Sequence, residues 1–255
     1  MNSVSSSHFV MIPSYNTGRL LPITVEEALN EWLPVWVIID GSDDNSEQLL
    51  KPLQAKHPET LKIIKLANNI GKGAAILHGL TQARAHNYTH VLTLDADHQH
   101  PANYISKFMA LSLKNPSSMI LGMPEFDASA PMLRVKGRKI SNWWANLETL
   151  GWGIKDSLFG MRVYPIEDLM TVMQSTSWAR RFDFEPEVAV RLAWLGVSVL
   201  NISTPVRYIL KEDGGISQFK YGRDNLLLTG MHIRLFSEFL LRLPVLIYKK
   251  YSPTR

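Results

Sequence analysis

The chain of 255 residues contains no cysteine. This absence excludes disulfide bonds, thiolate metal sites and cysteine nucleophiles. A strong charge of one sign is also lacking, because 27 lysines and arginines stand against 23 acids, for a net charge of +4. Such a mild basic excess suits phosphate-bearing substrates or an anionic membrane surface. The basic residues are scattered and form no recognition module, so we expect no nucleic-acid partner.

Long hydrophobic runs are absent as well. No uncharged apolar stretch approaches the length of a membrane span, and residues 1–16 lack the basic and apolar regions of a secretory signal. We therefore expect a cytoplasmic location, including the cytoplasmic face of a membrane. With 45% apolar residues, no repeats and no linker, the chain predicts one α/β domain over 1–225, followed by a helix and tail over 226–255.

Strands and helices alternate through the first hundred residues, which predicts a mainly parallel sheet flanked by helices. The predicted strands are 8–12, 35–40, 61–66 and 89–97, and the helices between them are 23–33, 45–56 and 71–85. The second half predicts strands at 119–124, 161–165 and 197–203, helices at 137–151, 184–195 and 226–243, and a loop at 211–220. Ligands of such sheets bind beyond the carboxyl ends of the strands, and the polar motifs of the first half lie there.

Asp95 and Asp97 close the fourth predicted strand. Residues i and i+2 of a strand point the same way, so both carboxylates can face one ion. Oxygen ligands suit Mg²⁺ and Mn²⁺, and Gln99 can add an amide oxygen. The motif predicts a divalent metal site that bridges to a diphosphate; the alternative is a solvated turn.

Two further motifs end strands. Pro13, Tyr15 and Asn16 follow the first strand and offer a ring face and an amide to a base or ribose. Asp40 ends the second strand and can accept hydrogen bonds from ribose hydroxyls or a base. The alternatives are a strand-capping turn and an Asx turn, respectively.

Gly71, Lys72 and Gly73 open the third helix. Backbone N–H groups and a lysine at a helix start can bind phosphate. The spacing matches neither a P-loop nor a dinucleotide fingerprint. A helix opened by glycines with no ligand is the alternative.

Taken together, these motifs resemble those of the family 2 glycosyltransferases, and most closely the dolichyl-phosphate or polyprenyl-phosphate mannose synthase branch. The matching segments occur in the family's order over about residues 9–220: IPSYN, IDGSDDNS, NNIGKGAAILHGL, LDADHQHP, GRKISNWWANL, DSLFGMRVYP and DFEPEVAVRLAWLGVSVLNISTPVRY. The resemblance implies a GT-A fold and an inverting transfer from a GDP- or UDP-sugar. It also implies a divalent cation and a lipid or polyprenyl-phosphate acceptor.

The resemblance also implies roles for single residues. It assigns the nucleotide to Pro13, Tyr15, Asn16 and Asp40, and the metal and diphosphate to Asp95, Asp97 and Gln99. A basic residue for the acceptor phosphate falls on Arg138. The block D-x-x-S-G-F-R is retained at Asp156, Gly160 and Arg162, where Arg162 would bind substrate and Asp156 is our candidate general base. Lys72 and Lys220 would meet the diphosphate.

This chain departs from the family pattern at three positions. Ile39 stands where a second acid usually precedes Gly41, so Asp40 would carry base or donor recognition alone. Asn142 replaces a frequent serine, and Gln218 replaces a frequent lysine. Asp156 has the alternative role of ordering its loop, and Glu185 and Glu187 are further candidate bases or helix caps.

Within 226–243, Arg234, Glu238 and Arg242 form one narrow polar stripe. The stretch predicts either a helix in a membrane interface, with Lys249 and Lys250 near anionic headgroups, or a helix packed on the core or on a second copy.

Two other functions remain open at this stage. One is nucleotidyl transfer onto a sugar phosphate, although the glycine-rich N-terminal loop of such enzymes is missing after Ile12. The other is a non-catalytic nucleotide-binding protein. The oligomeric state is open.

Overall fold

A seven-stranded sheet forms the centre of the fold. The structure is a computed structural model and describes residues 3–126, 132–207 and 221–251. The strands are β1 (His8–Ser14), β2 (Val35–Asp40), β3 (Leu61–Leu66), β4 (His90–Thr93), β5 (Ser118–Glu125), β6 (Arg162–Pro165) and β7 (Ser198–Pro205). Their order is β3-β2-β1-β4-β6-β5-β7. Only β6 runs antiparallel to its neighbours β4 and β5, so the prediction of a mainly parallel sheet is confirmed.

Helices cover both faces of the sheet. They are α1 (Leu20–Glu31), α2 (Ser46–Lys56), α3 (Lys72–Arg84), α4 (Ile105–Lys114), α5 (Met132–Glu148), α6 (Ile166–Gln174), α7 (Phe184–Leu195) and α8 (Tyr221–Tyr251), with a 3-10 turn at Ala102–Tyr104. Alternation along β1 separates two apolar cores: Phe9 and Met11 face the cluster under α3, α6, α7 and α8, and Val10 and Ile12 face the cluster under α1 and α4.

The fourth strand is shorter than the sequence predicts. β4 ends at Thr93, and the backbone N–H of Leu94 makes a last bond to Met11 O at 3.0 Å. The chain then leaves the sheet and turns, with a positive φ of 59° at His98. Asp95 and Asp97 therefore lie in a loop, and the strand geometry expected to point them the same way does not apply.

The C-terminal helix is longer than predicted and lies with its polar stripe against the protein. Met231, Leu235 and Phe239 are buried in the core beneath it. Glu187 of α7 pairs with Arg234 at 2.5 Å, and Arg191 pairs with Glu238 at 2.7 Å. Packing on the core, one of the two predicted alternatives, is therefore present.

The opposite face of α8 exposes large apolar side chains to solvent. Leu241 is 84% exposed, Ile233 65% and Tyr248 73%. Lys249 and Lys250 donate to backbone carbonyls of Trp194 and Leu150, so these lysines are held by the protein and are not extended toward headgroups. No helix of the described residues is long and apolar enough to cross a membrane.

Candidate active site

One large cleft opens at the carboxyl ends of β1, β2 and β4. Its volume is about 970 Å³. The predicted residues that line it are Pro13, Tyr15, Asn16, Asp40, Lys72, Asp95, Asp97, Gln99 and Arg138. The fold thus brings together nine side chains from five separate segments of the sequence.

Asp95 is held by two basic side chains. Lys72 Nζ contacts its Oδ1, and His100 Nε2 lies 3.0 Å from its Oδ2. Burial alone would raise the pKa of Asp95, but the Lys72 ammonium and the His100 ring outweigh burial and lower this pKa below its usual range. Gly160 packs so closely on this carboxylate that an added Cβ would overlap it. Asp95 is therefore ionised and fixed in place.

Asp97 is in the opposite electrostatic situation. Burial raises its pKa, and the negative charge of Asp95 raises it further. Its Oδ1 accepts the backbone N–H of Gln99 at 3.1 Å. Two carboxylates that repel each other favour a cation between them. Among the described residues, no three histidine or acidic side chains form a set that could hold a metal ion.

Lys72 joins the carboxylate loop to α7. Its ammonium contacts Glu185 as well as Asp95, and its side chain is mostly buried. Burial alone would lower the pKa of Lys72, but the charges of Asp95 and Glu185 outweigh it and raise this pKa above its usual range. The lysine is therefore a fixed positive charge.

The residues expected to bind the nucleotide form a hydrogen-bonded rim. Asp40 is buried, and its two oxygens accept the backbone N–H groups of Ile70 and Gly71, each at 2.8 Å. Asn16 Oδ1 accepts the N–H of Asp43 at 3.0 Å. The Asp40 carboxylate thus orders the segment before Lys72, and any contact with a nucleotide uses its remaining lone pairs.

The structure changes the expected roles of two residues. Arg162 is fully buried and donates to the carbonyl oxygens of Phe159 at 2.6 Å, Glu185 at 2.7 Å and Asp156 at 3.2 Å. It lies beneath the cleft, which leaves no surface for the expected substrate contact. Because its motif repeats the family pattern, the sequence could not distinguish a supporting arginine from a contacting one.

Asp156 is also buried, and one of its oxygens accepts three hydrogen bonds. Its Oδ1 accepts from Arg138 Nη1 at 2.6 Å, Leu158 N at 2.9 Å and Phe159 N at 2.7 Å. Asp156 therefore orders its loop and orients Arg138, which is the alternative to the expected general base. Lys220 lies outside the described residues.

A chain of hydrogen bonds connects α5 with α8 at the cleft wall. His232 Nε2 lies 3.1 Å from Ser141 Oγ, and His232 Nδ1 lies 3.0 Å from Glu148 Oε1. This order resembles a serine–histidine–acid triad. However, Ser157 donates its hydroxyl to Asn142 Oδ1 at 2.8 Å, and Ser141 Oγ lies 3.0 Å from Ser157 Oγ.

The direction of these bonds excludes a serine nucleophile. Asn142 Oδ1 also accepts the backbone N–H of Ser157 at 2.8 Å, which fixes the orientation of the amide. Since Ser157 has given its only hydrogen to Asn142, Ser141 must donate to Ser157. Ser141 then accepts from His232 Nε2–H, so His232 cannot take the serine proton. His232 is a structural link between α5 and α8.

Helices α5 and α8 give the cleft several apolar side chains beside their polar ones. Trp144, Leu228, Ile140 and Ile233 line it, and the last two are 62% and 65% exposed. The cleft is therefore continuous with the exposed apolar face of α8 and with α5. The sequence did not show that two helices distant along the chain meet here.

His100 and Glu185 contribute to the centre of the site through pairs with Asp95 and Lys72, respectively. Glu185 was a candidate base, whereas its observed partner is Lys72. His100 follows the carboxylate motif in LDADHQHP and received no role from the sequence. The signal that could have identified His100 was its position five residues after Asp95, since a loop that folds back there brings the two side chains together.

Comparisons with known proteins agree with this geometry. The model of the family described as Glycosyl transferase family 2 matches residues 9–182. Polyprenol monophosphomannose synthase of Mycolicibacterium smegmatis is 25% identical over 211 residues, which are 80% of this chain and 78% of that protein. Dolichyl-phosphate beta-glucosyltransferase of Mus musculus is 33% identical over 100 residues, which are 34% of this chain and 30% of that protein.

A solved structure shows the same fold. Glucosyl-3-phosphoglycerate synthase of Mycobacterium tuberculosis, crystallised with Mn²⁺, uridine diphosphate and glucosyl-3-phosphoglycerate, superimposes with a TM-score of 0.62 at 17% identity. The superposition covers 92% of this chain and 79% of that chain. The GT-A fold expected from the sequence is confirmed.

Proposed function

Since the chain belongs to glycosyl transferase family 2, we propose that it moves a sugar from a GDP- or UDP-linked donor to a lipid-linked phosphate. The transfer inverts the anomeric carbon and uses Mg²⁺ or Mn²⁺. Family membership favours this reaction over nucleotidyl transfer and over nucleotide binding without catalysis.

The observation that carries this proposal is the chemical asymmetry of the cleft. One end holds the carboxylates of Asp95 and Asp97, while the other end is walled by Ile140, Leu228 and Ile233 and opens onto an apolar surface. A nucleotide sugar fits the charged end, and an acceptor that joins a phosphate to a hydrocarbon chain fits the apolar end. A water-soluble acceptor does not require the apolar end.

The donor end fits a divalent cation. Mg²⁺ is typically bound through one or two carboxylates together with substrate phosphates, so two aspartates and Gln99 suffice when a diphosphate supplies the other oxygens. The repulsion that raises the pKa of Asp97 disappears when a cation lies between the carboxylates. Tyr15 lines the same end, half exposed, and offers its ring to the base.

The chemistry needs charge stabilisation at the leaving group. The acceptor phosphate oxygen forms a bond to the anomeric carbon as the bond to the donor diphosphate breaks, and negative charge grows on the departing nucleoside diphosphate. A bound cation would supply Lewis-acid stabilisation there. Lys72 lies beside the carboxylates and is placed to meet the same charge.

Acceptor activation needs no general base in this proposal. A phosphate is already an anionic nucleophile, which agrees with an Asp156 that is buried and engaged in holding its loop and Arg138. Arg138 lines the cleft and keeps its guanidinium in place through Asp156 at 2.6 Å. We assign Arg138 to the acceptor phosphate, and the names of the relatives, a polyprenol monophosphomannose synthase and a dolichyl-phosphate beta-glucosyltransferase, support such an acceptor.

The enzyme would reach a lipid acceptor from the surface of a membrane on its cytoplasmic side. We define the apolar surface as Ile140 and Trp143 of α5 with Ile233, Leu241 and Tyr248 of α8; these side chains are 59–84% exposed. Lys136 and Lys139 of α5 are exposed beside it, which suits anionic headgroups. This assigns α8 both to the domain core and to membrane contact.

Two measurements test the proposed function. Binding of GDP or UDP should raise the thermal midpoint only when Mn²⁺ is present, because a ligand of the folded state stabilises it by mass action. Incubation of the matching nucleotide sugar with a polyprenyl phosphate should release nucleoside diphosphate in equal amount to glycolipid. If the protein instead releases pyrophosphate from a nucleoside triphosphate and a sugar phosphate, and no nucleoside diphosphate from the nucleotide sugar, it is a nucleotidyltransferase. No shift with any nucleotide would contradict both enzymes.

A further inference from the structure

Lys72 contacts an oxygen atom of Asp95 that a divalent cation would use. Its ammonium contacts Asp95 Oδ1, while His100 Nε2 lies 3.0 Å from Oδ2. Both oxygens of this proposed metal ligand therefore already have a partner in the protein. A second cation that approaches the same oxygen is repelled strongly at such short range, so the metal cannot bind Asp95 until Lys72 has moved.

The fold supplies a second holder for this lysine. α3 begins at Lys72, and an added Cβ at Gly71 or Gly73 would collide with the backbone of Arg180 or Ala179. These close approaches fix the start of α3 beside α7, whose first turn carries Glu185. Because Glu185 contacts the ammonium independently of Asp95, it can retain Lys72 in the cleft after Asp95 is given up.

We propose that Lys72 is an exchangeable internal cation, which neutralises Asp95 in the empty cleft and transfers to the donor diphosphate when a divalent cation takes Asp95. This inference rests on the proposed function. Asp95, Asp97 and Glu185 carry three negative charges beside one lysine. Lys72 thus neutralises part of the negative charge of the empty site. When the metal and the diphosphate bind together and Lys72 changes partner, the added positive and negative charges again offset each other.

Coupled binding of metal and nucleotide follows from this exchange. Without a diphosphate, the metal must displace Lys72 from Asp95 and offers it no new anion beyond Glu185. With a diphosphate, the displaced ammonium gains oxygens of the donor. The protein should therefore bind a free metal ion weakly and bind the metal–nucleotide pair tightly, which prevents the metal from occupying the cleft without a donor.

The test measures Mn²⁺ binding directly, by electron paramagnetic resonance of the free ion, with and without GDP or UDP. Without nucleotide, Lys72→Met should bind Mn²⁺ at least about tenfold more tightly than the wild type, because a nearby like charge is removed. With nucleotide, the wild type should bind Mn²⁺ more tightly than Lys72→Met does. The factor by which the nucleotide increases Mn²⁺ affinity is therefore at least about tenfold smaller in the variant than in the wild type.

Two further variants separate the charge from the fold. Lys72→Gln retains hydrogen-bond donors for Asp95 and Glu185 without the charge, and it should behave like Lys72→Met. Lys65→Met removes a lysine that is paired with Glu47 at 2.7 Å outside the cleft, and it should bind Mn²⁺ as the wild type does. Equal Mn²⁺ affinity of the wild type and both Lys72 variants without nucleotide overturns the exchange alone. Failure of the wild type to bind Mn²⁺ even with nucleotide overturns the proposed function as well.

Discussion

Asp95 and Asp97 lie two residues apart in one cleft, but their surroundings act on the two carboxyl groups in opposite directions. Lys72 and His100 outweigh burial and lower the pKa of Asp95, whereas burial and the Asp95 charge raise the pKa of Asp97. The folded protein therefore stabilises the charge of Asp95 and is destabilised by the charge of Asp97. Loss of either should impair catalysis, but only one loss should weaken the fold.

Asp97→Asn should reduce sugar transfer at least about a hundredfold, the scale expected when one group that stabilises transition-state charge is removed. It should leave the free energy of unfolding unchanged or slightly higher, since the amide removes the repulsion. Asp95→Asn should reduce transfer equally and also destabilise the protein by about 1–3 kcal/mol, because Lys72 and His100 lose a charged partner.

Initial rates and denaturant unfolding of both variants check this prediction. Wild-type transfer by Asp97→Asn, or undiminished activity of the wild type in the presence of a chelator, would refute the metal role. Equal stability of the two variants would contradict the assigned difference in their surroundings.

At the residue scale, the sequence predicted position better than partners. Pro13, Asp40 and Asp97 could be assigned to one cleft because each lies at or just beyond the carboxyl end of a buried parallel strand, and such strand ends share one edge. The pair between Lys72 and Glu185 could not be predicted, since it depends on how closely α3 packs on the loop before α7. Arg162 shows the same limit, because a motif gives spacing but not burial.

At the scale of elements, hydrophobic pattern predicted most strands and helices. VWVIID and LKIIKL, short apolar runs followed by turn or loop residues, coincide with β2 and β3 as observed. The end of β4 was wrong because Leu94 and Ala96 are buried although the chain has left the sheet. The antiparallel direction of β6 has no signal in four residues; it follows from the path of the chain after β5 and α5.

His8 and His90 connect the pairing of two strands to pH. They are partners in the register of β1 and β4, and their rings stack with centroids 4.3 Å apart. Burial, and after it the neighbouring His90, lowers the pKa of His8 from 6.5 to about 4. The folded protein therefore binds fewer protons at His8 than the unfolded chain does between these two pH values.

The contribution of His8 to the free energy of unfolding should accordingly be fully present above pH 6.5 and be lost as the pH falls toward 4. The contribution of His8 is about 3 kcal/mol at most, from the size of the shift. Denaturant unfolding at a series of pH values measures it, and His8→Phe, which cannot be protonated, serves as the comparison. Identical pH slopes for the two proteins would show that His8 is not the responsible group.

At the scale of the whole molecule, α8 differs from a usual amphipathic helix, because charged and apolar side chains both face the protein and large apolar side chains also face solvent. Its charged stripe binds α7 through Glu187 and Arg191, and its exposed face carries Leu241 and Tyr248. The sequence predicted the stripe but not its direction, because periodicity identifies two faces without saying which one meets the core. Deletion of residues 226–255 is therefore an unsuitable test of membrane binding, since it would remove buried core residues as well.

Substitutions on the exposed face give a cleaner test of membrane binding. Leu241→Glu should reduce partitioning into vesicles that contain anionic lipid at least about tenfold, because burying a leucine side chain contributes about 1.5–3 kcal/mol. Leu113→Glu is the matched control, since Leu113 is 53% exposed on α4, which covers the other face of the sheet. Sedimentation with vesicles measures the partitioning of both variants.

The same two variants should also differ in catalysis, and the difference depends on the acceptor. With a long polyprenyl phosphate held in vesicles, Leu241→Glu should slow transfer while Leu113→Glu should not. With a short, water-soluble analogue, both should match the wild type, because Leu241 does not line the cleft. Equal vesicle binding by the two variants would separate the apolar surface from membrane contact and leave a second copy of the chain, or another protein, as its partner.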